Sequence, residues 1–154
     1  MIYVSYYKSI IGLIEIKAYT HGIFSVNIVD KKEENFESNK VTEECVKQLD
    51  EYLKGKRREF NLPLTIYGTD FQMDVWNEVM CVPYGKTASY KDIAIRIGRD
   101  KAQRAVGTAL NKTPILIIIP CHRIVGSSGG VKGFKYGMGT RKKLIELEKI
   151  SLKN

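Results

Sequence analysis

The chain predicts an α+β protein: a small N-terminal antiparallel β-sheet plus a helix, followed by a mostly helical C-terminal domain with a helix-turn-helix. Three patterns predict it. From Ile2 to Val29, tyrosine, isoleucine and valine alternate with polar residues, the two-residue period of half-buried strands. After Thr42 apolar residues recur every three or four positions, the period of a helix face. Two short helical segments then meet at Gly98-Arg99-Asp100. At 154 residues the chain can bury a core without staples. The stretch Asn61 to Gly68 reads as a linker, so the expected domains are 1–62 and 63–154.

In chain order, breaks at Gly12 and at His21-Gly22 divide the alternating stretch into a three-stranded meander. The charged segment from Asp30 to Lys40 follows as a loop. Thr42 is the expected cap of a helix whose first turn carries Glu43 and Glu44. Its apolar face is Cys45, Val46, Leu49, Tyr52 and Leu53, and it runs out in the solvated basic end Lys54-Gly55-Lys56-Arg57-Arg58. Asp70 opens a second helix with Phe71, Val75, Trp76, Val79 and Met80 on one face, and Pro83 forces its end. Cys81 at that end is expected to be structural. Ser89 with Asp92 three residues on is a capping-box start for a short helix carrying Ile93, Ala94 and Ile97, closed by Gly98. Residues 101–111 form the next helix, the apolar run Ile115 to Ile119 reads as a buried strand, and a closing helix covers about Arg141 to Leu152.

Lysine and arginine exceed aspartate and glutamate by eight, and the isoelectric point is about 9.3, which suits a polyanionic partner or a merely soluble basic protein. Three cysteines, Cys45, Cys81 and Cys121, are odd in number and form no CxxC, which argues against a disulfide framework. His21 and His122 are the only histidines and neither lies near a cysteine pair, so no metal site is expected. The start lacks a basic flank before an apolar core and no apolar run reaches membrane-spanning length, so a cytoplasmic protein is expected.

The chemistry centres on Ile117-Ile118-Ile119-Pro120-Cys121-His122-Arg123-Ile124-Val125. Pro120 has no N–H to give a ladder, so Cys121 stands where a rigid element ends and looks displayed for chemistry rather than packed. An adjacent imidazole that takes its proton would make it a nucleophile. Taken alone, a Cys-His pair is more often a buried small residue beside a surface one. The helix 101–111 carries Lys101, Gln103 and Arg104 near its N-terminus and the small Ala105, Gly107, Thr108 and Ala109 after them. That face suits either a nucleic-acid groove or tight helix packing.

Pro120-Cys121-His122-Arg123 with its aliphatic flanks resembles the active-site signature of the O6-alkylguanine-DNA alkyltransferases. The likeness extends through Val82-Pro83-Tyr84-Gly85-Lys86, Ser89-Tyr90 and Arg104-Ala105-Val106-Gly107. Further on it takes in Gly129-Gly130, Gly133-Phe134-Lys135 and Glu148, so it covers roughly the C-terminal half at matched spacing.

The resemblance implies single-turnover repair of double-stranded DNA by alkyl transfer from O6-alkylguanine, and from O4-alkylthymine, to Cys121. His122 would take the thiol proton through a water, Glu148 would orient the imidazole, and Tyr90 would donate to the guanine ring. Arg104 would replace a nucleotide flipped from the stack, on a minor-groove helix with Gln103, Ala105 and Gly107, and Ser127 would add a contact. Pro120, Val131, Phe134 and Lys135 would line the base pocket, within a loop whose glycines allow close approach. No cofactor is implied, and a monomer is expected. Two positions depart from the family pattern: Thr113 stands where an asparagine is common, and Phe134 where many relatives have tyrosine. Competing assignments are an alkyltransferase-like protein that binds without transfer, a helix-turn-helix regulator and a cysteine hydrolase. The regulator leaves Cys121-His122 idle, and the hydrolase leaves Arg104 unexplained.

Overall fold

A computed structural model describes residues 1–126 and 136–153, in two compact units, Met1–Tyr67 and Gly68–Asn154. In the first, strands β1 (Tyr3–Ser9), β2 (Gly12–Ala18) and β3 (Ile23–Val29) form an antiparallel sheet in that order. Helix α1 (Lys40–Leu53) packs on β1 and β2. Ile14, Ile16 and Ala18 of the central strand are fully buried, and α1 supplies Cys45, Leu49, Tyr52 and Leu53 to the same core. Ser5, Ile16 and Val26 are cross-strand neighbours. Ser5 Oγ donates to Thr42 Oγ1 of α1 at 2.8 Å, satisfying a buried hydroxyl on an otherwise apolar face.

Thr42 is not the cap of α1. Asn39 is: its side chain accepts from Thr42 N at 2.9 Å, while Asn39 N donates to Thr42 Oγ1 at 3.0 Å, a capping box with threonine in the third helical position. Asparagine caps as well as threonine does, and starting at Lys40 adds most of a turn ahead of the acidic residues.

The domain boundary also moves. Ile23 N donates to Pro63 O at 2.9 Å and Thr65 N to Ile23 O at 2.8 Å, so Leu64 pairs parallel to the start of β3. Residues 63–67 therefore belong with the first unit rather than the second. Gly22 makes this pairing possible, because a Cβ there would overlap Thr65 Oγ1.

The second unit holds α2 (Asp70–Met80), β4 (Ala88–Ser89), α3 (Tyr90–Arg96), α4 (Gln103–Asn111), a 3₁₀ turn at Cys121–Arg123, β5 (Ile124–Val125) and α5 (Met138–Lys153). Thr69 caps α2 in a capping box with Gln72. Val75, Trp76 and Val79 are buried, whereas Met80 is exposed and Phe71 only half-buried. Trp76 Nε1 donates to Ala109 O of α4 at 3.0 Å, which lets a large indole sit in the core with its one polar group satisfied. Cys81 is exposed rather than a core element.

Ser89 and Asp92 form the capping box that starts α3. Gly98, at φ +78°, ends it in a Schellman motif: Arg99 N donates to Ala94 O at 2.8 Å and Gly98 N to Ile95 O at 3.0 Å. That turn joins α3 to α4 and completes the helix-turn-helix.

Residues 115–119 are buried but are not a strand. Their backbone closes on itself, with Ile118 N donating to Leu116 O at 2.7 Å and Ile119 N to Ile115 O at 3.2 Å. Ile117 has φ +69°, the one non-glycine residue with positive φ among those described, and it is 2% exposed. A β-branched residue there is strained, and dense burial on every side holds it. Prolines at 114 and 120 remove a ladder donor at either end, so a compact double turn replaces the strand. Among the described residues no helix is long and apolar enough to cross a membrane.

Candidate active site

Cys121 begins the 3₁₀ turn directly after the buried double turn, and its N–H donates to Ile119 O at 2.7 Å. It is packed, not displayed: only 6% of its surface is exposed. Burial pushes its thiol up to about 12, against weaker opposite effects from a Thr113 hydrogen bond and the Arg141 charge. Leu110, Thr113, Ile119, Cys121, His122 and Tyr136 are among the residues around a cavity of about 10 Å³ beside the sulfur.

His122 and Glu148 are each 1% exposed, and His122 Nε2 lies 2.7 Å from Glu148 Oε2. Burial lowers the imidazole pKa although Glu148 acts in the opposite direction, so the ring is neutral at physiological pH. A neutral ring facing a carboxylate carries its proton on Nε2, which leaves the lone pair on Nδ1.

The same carboxylate accepts a fork from Arg123, with Nε to Oε1 at 3.0 Å and Nη2 to Oε2 at 3.0 Å, and the N–H of Gly85 at 3.0 Å. Arg123 Nη1 donates onward to Val82 O at 2.8 Å, and its guanidinium lies over the Tyr84 ring. Glu148 is thus charge-balanced by Arg123 and satisfied at both oxygens, the condition under which a carboxylate can be buried.

β4 and β5 pair in parallel, Ala88 with Ile124 and Ser89 with Val125. This two-residue ladder ties the start of α3, where Tyr90 stands, to the strand that follows the Cys121–Arg123 turn. Arg141 Nη2 donates to Tyr90 Oη at 3.1 Å. A guanidinium only donates, so the phenol oxygen accepts from it.

Arg123 and Arg141 were not expected in the site. A helix-phase argument finds Arg141: Arg141, Leu144 and Glu148 fall at i, i+3 and i+7 of α5, and all three are 1% exposed, while Lys142 and Lys143 face water.

On α4, Gln103, Arg104 and Ala105 are exposed, while Val106, Ala109 and Leu110 are buried. Arg104 and Lys101 border an open groove of about 580 Å³ that reaches Thr69 and Phe71 at the start of α2. Gly107 is half-buried, and a Cβ placed on it would meet the Tyr90 ring at 3.8 Å. Pro120 is buried beside Cys121. Ser127, Val131, Phe134 and Lys135 lie outside the described residues.

The fold and site define a helix-turn-helix protein that buries a cysteine next to a histidine held by a carboxylate. Residues 70–150 match the model for the DNA-binding domain of 6-O-methylguanine DNA methyltransferase, and residues 2–66 match the model for its ribonuclease-like domain. The chain belongs to the 6-O-methylguanine DNA methyltransferase family.

It is 45% identical over 117 residues to a methylated-DNA--protein-cysteine methyltransferase of Methanosarcina barkeri, a match covering 76% of this chain and 74% of that one. A protein of the same name from Methanosarcina acetivorans is 37% identical over 152 residues, covering 95% and 97%. A crystal structure of Mycobacterium tuberculosis OGT in complex with DNA superposes with a TM-score of 0.89 at 34% identity, covering 97% of this chain and 94% of that one.

Proposed function

We propose that the protein repairs duplex DNA by moving an alkyl group from the oxygen of O6-alkylguanine, and of O4-alkylthymine, to Cys121 in one irreversible transfer. The observation that carries this is the cavity shared by Cys121 and His122, with Nε2 of that histidine committed to Glu148. The names of the relatives and the DNA bound to the M. tuberculosis protein support it.

A thiol at about 12 is ionised at neutral pH in roughly one molecule in 10⁵, so the thiolate has to be made as it attacks. His122 is the base, through Nδ1, and a cavity of about 10 Å³ has room for one water to relay the proton. Glu148 is its orienting group. Sγ forms a bond to the alkyl carbon, the carbon–oxygen bond breaks, and its electron pair stays on the guanine. Tyr90 donates its O–H to the guanine ring as that charge develops. The product thioether is inert, so each molecule acts once. The alkyl group comes with the base, and the reaction calls for no cofactor.

The target atom is out of reach inside a duplex, which requires the nucleotide to leave the stack. In this proposal α4 enters the minor groove, Arg104 fills the vacated place, and Gln103, Ala105 and Gly107 line the approach with Ser127. Pro120, Val131, Phe134 and Lys135 form the wall around the base. The protein acts as a monomer in the cytoplasm.

The test is the intact mass of the protein after mixing with a duplex containing one O6-methylguanine, followed by peptide mapping. The expected result is a gain of one methylene on Cys121, lost in Cys121→Ser with duplex binding retained, and kept in Cys45→Ser and Cys81→Ser. A group found on Cys45 or Cys81 would overturn the assignment. An unchanged mass with tight binding would point to recognition without transfer.

A further inference from the structure

Thr113 Oγ1 lies 2.7 Å from Leu110 O, at the end of α4, and 2.7 Å from Cys121 Sγ. Thr113 and Cys121 are both buried, at 7% and 6% exposure. A hydroxyl has one proton, and a carbonyl can only accept. In the resting protein the threonine proton therefore goes to Leu110 O, and Oγ1 receives the S–H of Cys121. This is a short relay running from thiol to hydroxyl to carbonyl.

Removal of the thiol proton reverses what the sulfur needs. A thiolate is acceptor only, and a hydroxyl lone pair held 2.7 Å from it is repulsive. The oxygen does not have to move, because rotation about Cβ–Oγ1 carries its proton from the carbonyl to the sulfur. Leu110 O is not orphaned by that rotation, since Thr113 N also donates to it at 3.2 Å.

We propose that Thr113 is a positioning residue that works as a two-state proton switch at Cys121: its hydroxyl accepts from the thiol at rest and donates to the thiolate as it forms. This rests on Cys121 being the nucleophile. The thiol proton itself leaves toward the base, and the threonine proton is only redirected, so no proton is gained or lost at Thr113. Among the described residues, the other ionisable groups around Cys121 are His122 and Arg123 on the same turn, Arg141 and Glu148 from α5, with Tyr90 bonded to Arg141, and Tyr136, which lines the same cavity. Arg141 also favours the thiolate, through its charge. The direction of the Thr113 effect is the same.

Two readouts test the switch, both in a Cys45→Ser/Cys81→Ser background so that one thiol remains. The first is the S–H stretching band in the infrared difference spectrum against Cys121→Ser. It is expected at the lowered frequency of a donating thiol, to rise in Thr113→Val, and to return in Thr113→Ser. The second is the rate of Cys121 methylation by methyl iodide from neutral to alkaline pH. Losing a hydrogen bond to a charged sulfur is expected to slow Thr113→Val about 10- to 100-fold along this arm, with Thr113→Ser within about threefold of the parent.

An unshifted band in the parent protein overturns the resting arrangement, whatever the variants do. A band that moves in Thr113→Val without a change in methylation rate overturns the switch. Neither measurement uses DNA, so a failure of transfer from alkylated duplex would sink the repair proposal and leave this one decided on its own data.

Discussion

His122 Nε2 lies 2.7 Å from Glu148 Oε2, and that same oxygen accepts from Nη2 of Arg123 at 3.0 Å. One buried carboxylate therefore sets the tautomer of a base and neutralises a buried cation. Glu148→Gln removes the charge and keeps the shape, leaving Arg123 uncompensated. We expect a loss of about 3–5 kcal/mol in urea unfolding. Arg123→Met alone should cost a comparable amount, and the double variant Arg123→Met/Glu148→Gln distinctly less than the sum, because no buried charge is then left unpaired. Strict additivity in the double variant would rule out the coupling.

Arg104 is exposed on α4, with no role in the core. Arg104→Ala should therefore leave the thermal midpoint nearly unchanged. It should slow repair of duplex DNA more than reaction with free O6-benzylguanine, because only the duplex needs a nucleotide extruded. Parallel time courses with the two substrates give the comparison, and equal losses would assign Arg104 another function. Binding of undamaged duplex should weaken steeply with salt, as counterions are displaced by lysine and arginine.

Two buried thiols make the protein alkali-sensitive. Burial raises both Cys45 and Cys121 from about 9 to about 12 in the folded state. A group whose folded pKa is raised contributes stability in full below its unfolded value and loses it as pH rises toward the folded one. Between about pH 9 and 12 each thiol should lower stability by about 1.4 kcal/mol per pH unit. His122 has the opposite sign: its pKa is depressed by burial, so its contribution is present above about 6.5 and is lost as pH falls below that. Urea midpoints across this range, with Cys45→Ser removing one alkaline component, are the measurement. An unaltered alkaline limb in Cys45→Ser would contradict the assignment.

The alkylated protein should be less stable than the free one. The cavity beside Cys121 is small, about 10 Å³, so a benzyl group forces larger shifts there than a methyl group does. Overpacking of a dense site costs about 1–3 kcal/mol, and an alkyl group on sulfur also ends its donation to Thr113. Paired thermal melts without DNA should show a drop for methyl and a larger one for benzyl, on the order of 4–8 °C per kcal/mol for a unit this small. An unchanged or raised midpoint with both groups would reject the argument.

Much of this was legible in the residues, for identifiable reasons. Ser89 with Asp92, and Gly98 after Ile97, are local signals whose chemistry is completed within four residues, and the structure uses them as caps. Asn39 and Thr42 are both capping residue types, and the sequence favours Thr42 because only it has acidic residues immediately behind it. The run Ile115–Ile119 misled because continuous burial has no period: a strand and a knot of turns bury the same side chains, and only the backbone partners differ. Arg123 and Arg141 were missed because a charged residue is normally solvated. Their burial depends on Glu148 and Tyr90, which the fold brings in from far along the chain. Thr113 stood out only as a substitution for asparagine, and its contact with the sulfur required coordinates.

The parallel pair formed by β4 and β5 has a consequence for how such a chain can vary. Four residues hold Ala88-Ser89 beside Ile124-Val125, while everything between them in sequence, including α3, α4 and the double turn, leaves and returns as a closed excursion. The pairing of the two ends is thereby insulated from changes of length inside that excursion. A lineage can change the length of α3, α4 or the turn between them and keep the two ends of the excursion paired. A slip of one residue in the ladder, by contrast, would turn Ser89 inward in place of the buried Ala88.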